Sequence, residues 1–265
     1  MRTASGVFLL AVLVAALFLG RSYLAALVAL VVAIGLFEYR KLWGSVHLGP
    51  NLLILVPLAA FWLFRYAYPQ VPAAQVGLVA AALAGLALTL ASTAASRPLA
   101  RWAVAIGGGI WLGYLPGFVL LLYVGGGARG PELVLLTAGV SVLGDTAAYL
   151  VGSRWGRHPF MPAISPSKTW EGAVAGFLLP AAAVGALLPL VLPGLATWVA
   201  FSIASVASLA AIVGDLVESQ LKRELGVKDS GRLVPGHGGI LDRVDSLLFV
   251  AAVMYSLLAL AGAVG

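Results

Sequence analysis

The chain has 265 residues, of which 62% are hydrophobic and 10% charged, and its mean hydropathy of +1.04 excludes an ordinary soluble domain. The absence of cysteine excludes disulfides, thiol nucleophiles and thiolate metal sites. The net charge of +6 suits anionic lipids or soluble polyphosphates, whereas nucleic acid is a poor fit because no soluble domain exists to bind it.

Apolar stretches long enough to cross a bilayer as helices, which takes about 20 residues, follow one another along the whole chain. They predict an all-α, polytopic membrane protein with about nine spans, at roughly 5–20, 22–40, 51–68, 74–92, 102–124, 132–152, 171–192, 196–218 and 240–263. The first stretch is short and has a basic start, like a signal peptide. No cleavage site of small residues leads into a polar mature region, so a retained helix is the better interpretation.

The basic residues are distributed unevenly over this topology. With nine spans and the N-terminus in the cytoplasm, three of the sixteen Lys and Arg lie outside and Arg243 lies at the start of the last helix. The other twelve are cytoplasmic: Arg2, Arg40, Lys41, Arg97, Arg101, Arg154, Arg157, Lys168, Lys222, Arg223, Lys228 and Arg232. This positive-inside bias predicts a cytoplasmic N-terminus and an external C-terminus.

The acidic residues divide the chain into two parts. Glu38 is the one carboxylate in the first 131 residues, and nine of the ten acids occur at or after Glu132. This asymmetry predicts N-terminal scaffold helices over 1–100 and a catalytic transmembrane region over 101–265. The longest loops, 153–170 and 219–239, both lie on the predicted cytoplasmic face.

An acid within an apolar span and a polar loop after it form the first candidate site segment. Asp145 lies inside the predicted span 132–152, where a charge is costly and indicates a function. The following loop offers Ser165, Lys168 and Glu171 on the cytoplasmic side. Capping of the next helix would explain Ser or Thr there, but not Lys168 and Glu171 at the membrane boundary.

A second polar cluster lies at the cytoplasmic end of the predicted span 196–218. Four of its residues follow the spacing i, i+3, i+4 and i+7, which places them on one helix face: Asp215, Glu218, Ser219 and Lys222. Asp242 and Asp245 have the same i, i+3 spacing at the start of the last helix. Facing helix ends would bring these carboxylates together, and oxygen ligands suit Mg²⁺, Mn²⁺ or Ca²⁺ better than zinc. The alternative is a set of interfacial salt bridges with Lys222, Arg223 and Arg243.

A glycine-rich turn, Pro235–Gly239, joins these two helices. Gly238 and Gly239 precede the last helix, where exposed N–H groups can hold phosphate oxygens. Together with Lys222 and Lys228 the turn forms a plausible phosphate cradle. His237 could contact a phosphate or a leaving group, although a lone loop histidine is more often structural.

The block from Ser219 to Asp245 resembles the signature of phosphatidate cytidylyltransferases, also called CDP-diacylglycerol synthases. Its matching elements are Ser219, Lys222-Arg223, Lys228-Asp229, Gly231, Pro235, His237-Gly238-Gly239, Asp242-Arg243 and Asp245. Upstream matches are Asp145-Thr146, Tyr149, Gly152, Ser165-Pro166, Lys168-Thr169 and Glu171-Gly172. The resemblance is strong from about Leu143 onward. Val234 and Ser167 depart from it, and Ser167 stands where a second Lys is common.

The resemblance implies transfer of a cytidylyl group from CTP to phosphatidate, giving CDP-diacylglycerol and pyrophosphate, with Mg²⁺ required and a second cation left open. It implies a bacterial cytoplasmic (inner) membrane location with the active site facing the cytoplasm, and it leaves a homodimer open. The expected metal ligands are Asp215 and Asp242 first, then Glu218, Asp245 and Asp145. The expected catalytic residues are Lys222, Lys228, Asp229, His237 and Arg243. The expected substrate-binding residues are Ser165, Lys168, Glu171, Ser219, Arg223, Gly238 and Gly239, with the loop around Lys168 closing over the triphosphate.

Two other functions remain as alternatives. A membrane transporter coupled to a cation would use Asp145 and Asp215, but would not explain the basic phosphate cradle on the same face. A cytidylyltransferase acting on a different lipid phosphate would share the whole site. A CDP-alcohol phosphotransferase fits less well, because the spaced acidic motif of that class is absent.

Overall fold

The protein is described by a computed structural model that covers residues 2–44, 80, 83–85, 87, 97–231 and 238–265. Its chain divides into two compact units: Met1–Leu120 with Asp229–Asp242, and Leu121–Lys228 with Arg243–Gly265. The first unit therefore includes a short segment from late in the sequence, which no division at a single position could anticipate. The predicted contrast between scaffold helices and a catalytic region stays a prediction.

The first unit begins with two apolar helices. Helix α1 (Arg2–Leu19) and helix α2 (Arg21–Gly44) pack against each other across Gly20, whose φ of +116° allows the abrupt break between them. Helix α3 (Pro98–Gly109) runs directly into a π-helical turn, Ile110–Tyr114. Pro98 suits the first turn of α3 because its missing N–H would have no partner there.

Tyr39 organises the packing of this unit. Its hydroxyl donates to the Val104 carbonyl at 2.9 Å, and its ring meets Trp43 and Trp111 edge to face at centroid distances of 6.2 and 6.4 Å. A side chain at Gly108 would collide with the Tyr39 ring. The glycine in this apolar helix therefore permits close packing of α2 and α3.

The second unit holds most of the remaining helices and one hairpin. The elements in chain order are α4 (Gly117–Gly125, which begins in the first unit), a 3₁₀ turn (Gly127–Arg129), α5 (Gly130–Trp155), β1 (Pro159–Met161), β2 (Ser165–Thr169), α6 (Trp170–Val191), α7 (Thr197–Glu224) and α8 (Leu241–Leu260). Helix α8 also begins in the first unit, with Leu241 and Asp242. Its remaining residues belong to the second unit, where α6 packs against both α5 and α7.

Glycines allow α5 and α6 to approach closely. A Cβ at Gly172 would fall 2.7 Å from the carbonyl oxygen of Ala148, and one at Gly176 would fall 3.0 Å from that of Gly144. Real Cβ atoms do not tolerate the first distance, so only glycine fits there. Small residues at helix interfaces are how membrane helices gain packing contacts without a hydrophobic driving force.

The predicted predominance of apolar helices is confirmed. Within the described residues, six segments are long and apolar enough to cross a membrane: Arg21–Gly44, Leu99–Gly125, Gly127–Trp155, Trp170–Val191, Thr197–Glu224 and Leu241–Leu260. A shorter apolar helix covers Phe8–Leu19. The predicted span 51–68 and nearly all of 74–92 lie outside the described residues, so the count of nine stays a prediction, as does the orientation of the N-terminus.

The strictly all-α class is wrong in one respect, because residues 159–169 form an antiparallel hairpin. Pro159 pairs with Thr169 and Met161 pairs with Ser165. Prolines at 159, 162 and 166 disfavour a helix here, because proline lacks the N–H and clashes with the preceding turn. The stretch expected to be a loop is therefore extended backbone that can pair with itself.

Candidate active site

A cavity of about 460 Å³ lies in the second unit, walled by α5, α6, α7 and the hairpin. Its helix-facing wall is small and apolar, with four glycines: Gly144, Gly152, Gly172 and Gly176. Its charged wall consists of Asp145, Lys168 and Asp215. Because the four glycines carry no side chains, a space remains beside the three charged side chains. A polar headgroup or a phosphate chain could enter this space.

Lys168 and Asp215 form an ion pair across this cavity. Lys168 comes from strand β2 and Asp215 from helix α7, 47 residues apart in sequence. Their side chains are 28% and 33% exposed, although the Lys168 ammonium nitrogen itself is buried against Asp215. The structure thus brings together a residue predicted to bind phosphate and one of the two leading predicted metal ligands.

Two more carboxylates lie near this pair. Asp145 on α5 is close enough to interact electrostatically with Asp215, Lys168 and Arg243. Asp245 on α8 is buried and interacts electrostatically with Asp215 and Asp145. Three acids from three helices therefore face one region. In the part of the chain that the structure describes, however, no three Asp, Glu or His side chains form a ready-made metal-binding group.

Glu218 pairs with Lys222 one turn further along α7. The Glu218 side chain is 2% exposed, and its Oε2 lies 2.5 Å from the Lys222 ammonium. The i, i+4 spacing on one helix face is the one the sequence predicts. This contact is the kind of salt bridge considered as the alternative interpretation, and a role of either residue toward metal or phosphate stays a prediction.

The base of the hairpin is fastened to the start of α6. The Glu171 carboxylate accepts from the His158 backbone N–H at 3.3 Å and lies 2.6 Å from His158 Nδ1. Thr169 caps α6, its hydroxyl accepting from the Gly172 N–H at 3.2 Å. The predicted capping is therefore confirmed at Thr169. Glu171, predicted to bind substrate, contacts His158 in this structure.

The tip of the hairpin is fastened to α7. Arg223 Nε donates to the Ile164 carbonyl oxygen at 2.9 Å, across 59 residues of sequence. Arg223 was expected at the phosphates, and that role stays a prediction. Its observed contact holds in place the strand that presents Lys168.

The first unit contains the other signature residues that the structure describes. Both Asp242 carboxylate oxygens accept from the Ser230 N–H, and Oδ2 also accepts from the Ser230 hydroxyl at 2.9 Å and from the Gly239 N–H at 2.7 Å. Gly238 adopts a φ of +79°, where a Cβ would collide with Asp242. The Gly239 amide thus donates to a protein carboxylate, and a phosphate contact of Gly238 or Gly239 stays a prediction.

The sequence motifs did not point to Glu38, a buried polar residue of the first unit. Its buried carboxylate accepts from the backbone N–H of Ile240 at 3.1 Å and of Leu241 at 2.9 Å, and from the Ser230 hydroxyl at 3.4 Å. It thereby caps α8 from more than 200 residues away. The available signal was its isolation, since it is the sole carboxylate in the first 131 residues.

The remaining predicted residues differ in their exposure. Ser165 and Ser219 are half-buried on β2 and α7. Lys228, Asp229 and Arg243 are exposed. His237 lies outside the described residues. Asp229 and Asp242 belong to one unit and Asp215 to the other, so the predicted pairing of Asp215 with Asp242 stays a prediction.

Comparison with known proteins indicates the same family as the sequence motifs. Residues 1–261 match the model of the cytidylyltransferase family. A phosphatidate cytidylyltransferase of Mycobacterium leprae is 41% identical over 150 residues, covering 57% of this chain and 47% of that protein. One of Staphylococcus aureus (strain COL) is 43% identical over 131 residues, covering 49% of this chain and 50% of that protein.

The matched segments span about half the length of these curated relatives. The family model, in contrast, extends over nearly all of this chain, including the N-terminal helices that hold Glu38. The chain therefore belongs to the cytidylyltransferase family.

Proposed function

We propose that this protein transfers the cytidylyl group of CTP to phosphatidate, giving CDP-diacylglycerol and pyrophosphate. Family membership and the names of the relatives support the reaction class. The observation that carries the proposal is the Lys168–Asp215 pair, a cation and a carboxylate at one cavity between apolar helices. Such a cavity can take a charged headgroup whose acyl chains stay in lipid.

The reaction requires that the lipid phosphate and CTP are aligned and that their negative charges are neutralised. A phosphate oxygen of the lipid attacks the α-phosphorus of CTP, and the bond from that phosphorus to the oxygen bridging to the β-phosphate breaks. The electron pair leaves with pyrophosphate. A phosphomonoester has a second pKa of about 6, so the attacking oxygen is already largely ionised near neutral pH and no general base is needed. The protein's task is to place two anions in line.

Lys168 is the residue best placed to receive phosphate charge. Its ammonium already faces a carboxylate oxygen of Asp215, and a phosphate oxygen presents a similar acceptor. We assign Lys168 to the triphosphate, where stabilisation of the leaving pyrophosphate would accelerate the chemical step. Lys222 and Arg243 are assigned to the remaining phosphate charge, as predicted from the sequence.

The carboxylates fit a magnesium ion. Mg²⁺ is usually held by one or two carboxylates together with substrate phosphates, so the lack of a three-acid group among the described residues does not conflict with it. Asp145 and Asp215 line the cavity and would hold the ion. A ligand role of Asp242 stays a prediction from the sequence. When bound, Mg²⁺ would neutralise phosphate charge as CTP and the lipid phosphate approach each other.

We further propose that the protein lies in the cytoplasmic membrane of a bacterium with this site on the cytoplasmic face. The apolar helices and the bacterial relatives support a membrane location, and the basic residues favour this orientation. CTP would then enter from water while phosphatidate arrives from the bilayer.

The test is direct. Purified protein in detergent micelles, supplied with CTP, phosphatidate and Mg²⁺, should form CDP-lipid and pyrophosphate in equal amounts. Asp215→Asn is the matched inactive control. A folded wild-type protein that makes neither product would refute the proposal, and conversion of another lipid phosphate alone would change the substrate. Cation flux without CTP consumption in vesicles would favour the transporter.

A further inference from the structure

Glu38 is a carboxylate in an unexpected place. It lies on α2, within an apolar segment long enough to cross a membrane, and is 4% exposed. A charged side chain in such a segment is costly unless polar groups satisfy it. Its partners therefore indicate why the residue is there.

Those partners are all in one short segment, Asp229–Asp242, which belongs to the same compact unit. The carboxylate accepts from two consecutive backbone amides at the start of α8, those of Ile240 and Leu241. The first N–H groups of a helix have no partner within the helix and concentrate its positive dipole charge. Glu38 supplies both the acceptors and the opposite charge that this helix end requires.

Ser230 connects Glu38 to Asp242. The serine hydroxyl lies 2.9 Å from Asp242 Oδ2 and 3.4 Å from Glu38 Oε2, so one proton is shared between two carboxylates. The Asp242 carboxylate also accepts from the Gly239 amide, next to the amides that Glu38 holds. A shift of Glu38 would therefore be transmitted to Asp242 through both the hydroxyl and the backbone.

Two glycines make room for Glu38. A Cβ at Gly231 would lie 2.9 Å from Glu38 Cδ, and a Cβ at Gly239 would lie 2.7 Å from the same atom. Neither glycine has a positive φ, so it is the approach of Glu38, together with neighbours of this segment, that excludes a side chain. Glycines that look like part of a phosphate cradle thus also accommodate a carboxylate from α2.

We propose that Glu38 is a positioning residue: it fixes Ser230 and the first residues of α8, and with them the Asp242 carboxylate, in the arrangement that cytidylyl transfer uses. This inference rests on the proposed function. Glu38 acts through backbone amides and Ser230, and it is not assigned a contact with substrate.

The first measurement needs no activity. Hydrogen–deuterium exchange, followed on peptides that include residues 239–242, compares the wild type with Glu38→Gln and Glu38→Ala. Exchange should accelerate about tenfold or more in Glu38→Ala, since two charge-assisted hydrogen bonds are lost, and less in Glu38→Gln, whose single carbonyl can still accept. Tyr39→Phe is the matched control, because it removes a buried hydrogen bond from the next residue of α2 without touching this segment.

The second measurement is kinetic. Glu38→Ala should lower kcat about tenfold or more and raise the Mg²⁺ concentration needed for half-maximal turnover, while KM for phosphatidate changes by less than about threefold. Glu38→Gln should recover part of kcat. Tyr39→Phe, if it destabilises the protein, should lower the melting temperature without shifting the Mg²⁺ requirement.

A double-mutant cycle tests the glycine contact. Gly231→Ala should be damaging alone but should add little in the Glu38→Ala background, because the collision with the carboxylate is then gone. Unaltered exchange at residues 239–242 in both Glu38 variants would overturn the inference, as would additive effects in the cycle. If the wild type forms no CDP-lipid, the proposed function fails while the exchange comparison still decides whether Glu38 fixes the segment.

Discussion

Replacement of Lys168 by Ala tests the candidate site most directly. The pair with Asp215 joins two side chains that are each about a third exposed, so its loss should lower the free energy of unfolding by only about 1 kcal/mol or less. A hydrogen bond between Lys168 and a phosphate of CTP would be worth about 1.5–3 kcal/mol. Since about 1.4 kcal/mol corresponds to a factor of ten, kcat/KM for CTP should fall roughly 10- to 100-fold.

The assay is steady-state kinetics in detergent micelles with CTP varied at fixed phosphatidate. The loss should lie in KM if Lys168 binds ground-state CTP, and also in kcat if the contact strengthens as charge develops on pyrophosphate. Lys168→Arg should recover activity only partly, because a planar guanidinium does not replace a compact ammonium. Arg40→Ala, an exposed basic residue on α2, is the control and should behave like the wild type. Unchanged CTP kinetics in a folded Lys168→Ala protein would remove the hairpin from the active site.

Three further predictions follow from the same structure. Asp215→Asn should lower turnover by orders of magnitude in a protein that still melts cooperatively, and near wild-type rates at limiting Mg²⁺ would show that Asp215 is not a metal ligand. Gly172→Ala should cost about 1–3 kcal/mol in a thermal melt because its Cβ would meet the backbone of α5, whereas Gly139→Ala, which meets nothing within 4 Å, should be neutral or stabilising; equal effects would contradict the packing. In this cysteine-free chain, Ser153→Cys should be labelled from the cytoplasm and Ala261→Cys from outside, and the reverse pattern would overturn the orientation.

The helices could be predicted because their signal is local. Length and hydropathy alone locate α5, α6, α8 and the start of α7 to within about three residues, since a bilayer-spanning helix needs about 20 apolar residues in succession. Helix α7 continues to Glu224, six residues beyond the predicted span, because hydropathy does not register its polar last turns. The hairpin at 159–169 could not be predicted in the same way. Its strands are three and five residues long, too short for an alternating pattern, and their pairing depends on the chain turning back on itself.

The parts of the candidate site that lie on a single helix could be predicted from the spacing of their residues. The spacing of Asp215, Glu218 and Lys222 fixes their common face, and the structure keeps Glu218 and Lys222 in contact. The ion pair of Lys168 with Asp215 depends on tertiary packing, and spacing alone could only place both on one membrane face. The contacts of Glu38 could not be predicted for the same reason. No periodicity relates a residue on α2 to backbone amides more than 200 positions later.

The fastening of the hairpin at both ends has a thermodynamic consequence. Glu171 holds its base through His158, and Arg223 holds its tip through the Ile164 carbonyl, so the strand that presents Lys168 is anchored before any ligand arrives. The sequence suggested a loop closing over the triphosphate, whereas an anchored strand has little freedom left to lose. Ordering a flexible side chain or loop on binding costs about 0.5–1.5 kcal/mol per side chain. Much of that entropy has already been lost during folding, so a phosphate bound by Lys168 would meet a preorganised ammonium.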